Sequence, residues 1–98
     1  MNYRLESDSV GEKQVPAEAY YGVQSLRAAE NFHSTGKMIP RVQIESLAEI
    51  KKACALTNKA AGTLDAEIAD KIVEACEELL AGNFHKEFIT DQIQGGAG

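Results

Sequence analysis

Apolar residues recur at helical spacing in the middle of this chain and are sparse near its start. After Pro40, Leu47, Ile50, Cys54 and Ala61 fall at i, i+3, i+7 and i+14. That spacing predicts a helix with these residues on its buried stripe. Pro40 suits the first helical position, and Gly62 suits the residue just past the end. The same stretch holds Ala48, Ala53, Ala55, Ala60 and Ala61. Such small side chains predict close approach by a neighbouring helix. Asp65 fits the N-cap of a second helix, with Glu67 in its positive first turn. Ile68, Ile72, Cys76 and Leu79 continue at i, i+4, i+8 and i+11, and Gly82 stops the pattern. The two helices should pair as an αα-hairpin through Gly62-Thr63-Leu64, with Leu47 and Ile72 in the core.

The flanks carry weaker patterns. Tyr3-Arg4-Leu5-Glu6 and Gln14-Val15-Pro16 enclose a polar stretch with Ser7, Asp8, Ser9 and Gly11, which predicts a short hairpin with Pro16 at its edge. Residues 23–32 read as a short helix, with Leu26, Ala29 and Phe32 on one side. Ser34-Thr35-Gly36-Lys37 then makes a loop. After Gly82, Phe84, Phe88 and Ile89 are apolar anchors around His85. Few apolar contacts hold this last stretch, so it and the glycine tail are expected to be the least ordered parts. The expected fold is mainly α with a short extended or hairpin segment at the start.

Composition narrows the function. At 98 residues the chain is one domain or a piece of one. Its net charge is −5 and it has no Lys/Arg run beyond Lys51-Lys52, which argues against nucleic acid. No apolar stretch approaches the ~18 residues of a membrane span. The start is charged within four residues and lacks the apolar core of a secretory signal. Two cysteines are few for a small secreted domain, so free thiols in a reducing cytoplasm are expected.

Candidate chemistry is thin. His33 and His85 are far apart, and no Cys-x-x-Cys or His-x-x-x-His spacing offers a metal site. Ser, His and Asp are present without a motif that relates them. Cys54 and Cys76 fall on the apolar stripes and read as core filler. Glu74, Glu77 and Glu78 could serve as acid–base groups if buried, but they lie off the stripe and read as a solvated face. Tyr20-Tyr21 reads as packing at a helix entry. The glycine-rich end, Gln94-Gly95-Gly96-Ala97-Gly98, could bring backbone close to an anionic ligand, because glycine lacks a Cβ. It is no phosphate loop, since no Gly-Lys-Ser/Thr follows.

The order of several motifs resembles the amino-terminal domain of the aspartate ammonia-lyases, in the aspartase/fumarase superfamily. The matching pieces are Gly11-Glu12-Lys13-Gln14-Val15-Pro16-Ala17, Ala19-Tyr20-Tyr21-Gly22-Val23-Gln24-Ser25-Leu26-Arg27-Ala28, Glu30-Asn31-Phe32 and Lys51-Lys52-Ala53. The end matches as well: Phe88-Ile89, Asp91 and Ile93-Gln94-Gly95-Gly96-Ala97-Gly98. Leu26 before Arg27, and Gly-Gly-Ala-Gly at the end, favour aspartases over class II fumarases, which tend to carry Gln and Gly-Ser-Gly there. Ser25, His33-Ser34 and Gln92 depart from the commoner family residues.

The resemblance implies elimination of ammonia from L-aspartate to give fumarate, with no organic cofactor. A base takes the proton beside the β-carboxylate, and the resulting aci-carboxylate is stabilised electrostatically. In the family that base is a serine on a loop far beyond residue 98, and the site is built from three subunits of a homotetramer. The resemblance therefore implies that residues 1–98 are an amino-terminal domain lacking the central helical bundle and C-terminal domain, with no catalytic residue and no activity alone. Ala97 and Gly98 would supply backbone close to the substrate carboxylate. Arg27 is the cationic side chain of the Tyr-Tyr-Gly motif and a candidate substrate contact; its other reading is an ion pair supporting the domain. A reading of another class is a non-enzymatic helical interaction module that self-associates through its apolar stripes.

Overall fold

The structure, a computed structural model, describes residues 2–95. It contains a β-hairpin of β1 (Tyr3–Asp8) and β2 (Gly11–Pro16), then α1 (Val23–Asn31), α2 (Arg41–Ala60), α3 (Ala66–Leu80) and a 3-10 turn at His85–Glu87. The fold is thus mainly α with a short N-terminal hairpin, as its sequence pattern predicts. It packs as two compact units, Pro40–His85 and Met1–Ile39 with Lys86–Gly98.

The unit Pro40–His85 is the helical hairpin. Asp65 caps α3 by accepting from the N–H groups of Glu67 and Ile68 at 2.9 and 3.3 Å. Both helices end in the same way. Gly62 and Gly82 take positive φ, 76° and 97°, where a side chain would be strained. After α2, Gly62 N–H donates to Lys59 O and Thr63 N–H to Asn58 O. After α3, Gly82 N–H donates to Leu79 O and Asn83 N–H to Glu78 O. These are Schellman caps, which satisfy carbonyls that the helix leaves open. His85 adds a ring N–H to Leu79 O at 2.9 Å. Lys52–Glu77 and Lys59–Asp70 pair across the hairpin at 3.4 and 2.6 Å.

The seam differs from the expected stripe. Ile44, Ala48 and Ala55 are buried on α2, and Ala69 and Cys76 on α3. Leu47 and Ile50 are 39% and 56% exposed, Cys54 and Ala61 are exposed, and so is Ile68; Ile72 and Leu79 are half-buried. Both α2 sets have helical spacing, so periodicity cannot choose between them. Small residues decide the choice, because Ala48, Ala55 and Ala69 let the two backbones approach. Two boundaries also move slightly. Pro40 is the N-cap of α2, its carbonyl accepting from Gln43 and Ile44 N–H, and Phe32 is the C-cap of α1.

The other unit has little apolar core. Val15 is fully buried and Val23 nearly so. β1 and β2 pair antiparallel, Tyr3 opposite Pro16 and Asp8 opposite Gly11, with inward and outward positions alternating. A lone two-stranded hairpin is marginal in water. Here polar groups tie it down.

Candidate functional site

Arg4 is the first tie. Its Nε donates to Glu6 Oε2 at 2.6 Å. Its two terminal nitrogens donate to the carbonyls of Pro16, Ala17, Ala19 and Tyr21 at 3.0, 3.1, 2.7 and 2.8 Å. A planar guanidinium can serve several acceptors at once, and here it gathers the irregular segment that leads to α1. Glu6 completes the entry. Gly22, the α1 N-cap, offers no side chain, and Glu6 Oε1 accepts from Val23 N–H at 2.9 Å instead. A carboxylate at a helix N-terminus is favoured by both the open N–H and the dipole. The Arg4 hydrogen bond, then that of Val23, holds the Glu6 carboxyl below its ordinary range.

Arg27 lies on α1 and faces the hairpin turn. Its Nε donates to Asp8 Oδ2 at 3.0 Å, and Nη2 donates to Gly11 O at 3.0 Å. Asp8 Oδ1 accepts from Val10 and Gly11 N–H within the turn. Burial pushes the Asp8 carboxyl up, but the Arg27 hydrogen bond and the two turn N–H groups outweigh it, so the net direction is down. Lys13–Glu30, at 2.7 Å, adds a second link between β2 and α1.

The stretch before the glycine run is organised around Asp91, which is only 7% exposed. Asp91 Oδ2 accepts from Thr35 N–H at 2.9 Å and Gly36 N–H at 2.8 Å. Oδ1 accepts from the Thr35 hydroxyl at 3.0 Å and from Ile93 N–H at 3.0 Å. The Ile93 N–H contributes most to holding this carboxyl below its ordinary range; the Thr35 and Gly36 groups add to it, and burial opposes them. Backbone pairing follows the same line: Met38 bridges Asp91 antiparallel, and Gln92 N–H donates to Lys37 O at 2.9 Å. Residues 91–94 of the stretch expected to be loose are thus tied by polar bonds, while the glycine tail from Gly96 on lies outside the described residues. A cleft of about 180 Å³ opens here, lined by Phe32, His33, Gly36, Lys37, Met38 and Asp91 among others.

Of the sequence-predicted site residues, Arg27 is engaged as described, whereas Ala97 and Gly98 lie outside the described residues. Glu74, Glu77 and Glu78 are exposed on α3, with Glu74 3.4 Å from Lys71. Among the described residues no three His, Cys, Asp or Glu side chains converge as metal ligands. No helix there is long and apolar enough to cross a membrane. Sequence reasoning missed Arg4, Glu6, Thr35 and the role of Asp91. Their partners are mostly backbone groups, which lie up to 17 residues away for Arg4 and 56 for Asp91.

A β-hairpin pinned by charge to a short helix, a paired-helix unit and an Asp91 carboxylate bonded to Thr35 and Gly36 make up a mainly helical fold. The lyase family pattern matches residues 11–98, and the chain belongs to that family. It is 51% identical over 96 residues to an aspartate ammonia-lyase of Bacillus subtilis, a match covering 98% of this chain and 20% of that protein. It is 45% identical over 97 residues to a class II fumarate hydratase of Halobacterium salinarum, covering 99% and 21%. Among solved structures, a fumarate lyase/delta crystallin from Brucella melitensis superposes with a TM-score of 0.88 at 36% identity, covering 97% of this chain and 23% of that one. The chain spans about a fifth of the length of the curated relatives it matches.

Proposed function

We propose that residues 1–98 are the amino-terminal domain of a longer aspartate ammonia-lyase, which eliminates ammonia from L-aspartate to give fumarate. The observation that carries this reading is the 51% identity, along nearly the whole chain, to a relative named for that reaction. The Leu26-Arg27 pair and the Gly-Gly-Ala-Gly end favour it over a class II fumarase. On this reading the proton-abstracting base, the central helical bundle and the tetramer contacts come from residues beyond 98, in a cytoplasmic homotetramer. These 98 residues bind and orient: backbone at Ala97 and Gly98 approaches a substrate carboxylate, and without the rest the chain is catalytically silent.

Arg27 enters this proposal in one of two ways. Its bonds to Asp8 and Gly11 support the ion-pair reading, in which it holds the hairpin turn to α1. As a substrate contact, Arg27→Lys would raise KM while Asp8→Asn would not; as a structural pair, both would lower stability and leave KM alone.

The test is to express the longest natural polypeptide carrying these residues and to follow fumarate formation from L-aspartate and from L-malate. Turnover of aspartate is the expected result. Turnover of malate alone would overturn the proposal in favour of a fumarase, and turnover of neither substrate would overturn it as well. A second reading, a self-associating interaction module, draws on the exposed Val42, Leu47, Ile50 and Leu56 of α2. A single sedimenting monomer across a wide concentration range would exclude it.

A further inference from the structure

The two long helices face away from their seam with different chemistry. On α3 the positions opposite the seam carry Glu67, Asp70, Lys71, Glu74 and Glu78, all exposed, which is an ordinary solvated face. On α2 the charges sit elsewhere. Arg41, Glu45, Glu49, Lys51, Lys52 and Lys59 all fall within about 110° of the line through Ala48 and Ala55. The opposite face runs through Gln43, Ser46, Ile50, Ala53 and Thr57, with Leu47 and Cys54 beside them. It holds no charge along the whole helix, a length of about 30 Å. Every one of these seven residues is exposed. The Ser46 hydroxyl donates to Val42 O at 2.8 Å, so its proton is satisfied within α2. A helix packed on one face and free of charge on the other has the pattern of a helix buried on both sides.

We propose that this face of α2 is the seat of an apolar helix from the part of the same polypeptide beyond residue 98, so that α2 is the middle helix of three layers. The inference rests on the longer polypeptide of Proposed function; the chain spans about a fifth of the length of its curated relatives. The chemistry of the face selects its occupant. A charge laid on it would be buried without a partner, so the occupant is apolar there. The face offers few hydrogen-bonding side chains, so the occupant must satisfy its own backbone, as a helix does. Area decides against a second copy of this chain. A contact about 30 Å long and 10 Å wide buries about 600 Å² over both partners, half or less of what separate chains need for a stable complex. A segment of the same polypeptide needs no such area, because its encounter is intramolecular and its effective concentration is high.

The experiment alkylates the unaltered longest natural polypeptide with N-ethylmaleimide and reads Cys54 and Cys76 separately by peptide mass. Cys54 is the exposed thiol on this face, and Cys76 is the buried thiol of the seam. Reaction in urea supplies the unprotected rate. With the face covered, Cys54 reacts at least about a hundredfold more slowly than in urea. Reaction of Cys54 within about threefold of the urea rate, with Cys76 still protected, would overturn the inference. Photocrosslinking then identifies the occupant, using Gln43→benzoylphenylalanine and, at the border of the face, Asn58→benzoylphenylalanine. The expected product has the mass of one chain and joins α2 to a peptide beyond residue 98. A product with the mass of two chains would overturn the inference in favour of a second copy. If neither variant folds, the unaltered polypeptide decides: protection of Cys54 that survives dilution supports the inference, and protection lost on dilution overturns it. Failure to turn over L-aspartate would strike the proposed function and leave the covered face standing. A reactive Cys54 in a polypeptide that does turn it over would strike the covered face alone.

Discussion

In Pro40–His85 the buried residues are Ile44, Ala48, Ala55, Ala69 and Cys76, all apolar and mostly small. In the other unit, among the described residues, only Val15 and Val23 are buried apolar side chains, and Asp91 is buried as well. The helical hairpin is held by shape, through a seam narrow enough for two backbones to approach. The hairpin-and-loop unit is held by charge directed at backbone: Arg4 on four carbonyls, Glu6 on one helix N–H, Asp91 on three N–H groups and a hydroxyl. A small unit can hold together either way, but the two respond to different insults. Removing a methylene opens a cavity in the first. Removing or protonating a charged group strands several backbone atoms in the second.

That contrast can be broken most forcefully at Ile44. Ile44→Ala should cost about 3 kcal/mol in urea unfolding of the helical unit. Arg4→Ala should cost about 2 kcal/mol, with hydrogen exchange quickening in residues 3–21 and not in α2 or α3. Gly62→Ala should cost about 1 kcal/mol, because alanine is strained at the positive φ of the helix end. Leu47→Ala sharpens the account from the other side. Leu47 is partly exposed rather than in the seam, so in this chain the loss should stay below about 1 kcal/mol. A loss near that of Ile44→Ala would return Leu47 to the core.

The helical unit was readable because its signals are local. Asp65, Gly62 and Gly82 mark helix ends through their own backbone neighbours, and each stands where the spacing puts it. The choice of seam was not local. α2 carries apolar residues on more than one face, and only the partner helix selects Ile44, Ala48 and Ala55 over Leu47, Ile50 and Cys54. The charged unit was legible in outline but not in mechanism. Arg4, Glu6 and Asp8 look like ordinary surface charges in a polar stretch, since their partners are mainly carbonyls and N–H groups that carry no residue identity. Asp91 entered the reading only as part of a family motif. Its clamp on Thr35 and Gly36 depends on a long-range contact that no spacing rule predicts.

Glu6, Asp8 and Asp91, the carboxyls held below their ordinary range, all lie in the hairpin-and-loop unit. A group whose folded pKa is depressed adds stability above its unfolded pKa, and that stability is lost as pH falls through the folded value. The loss should therefore begin below about pH 4. The most direct test is hydrogen exchange, corrected for intrinsic rates, from neutral pH down to about pH 3. The account predicts that residues 3–23 and 35–38 with 91–94 lose protection first, while the Ile44–Ala55 and Ala69–Cys76 seam keeps its own. Simultaneous loss in both units, or earlier loss at the seam, would contradict it.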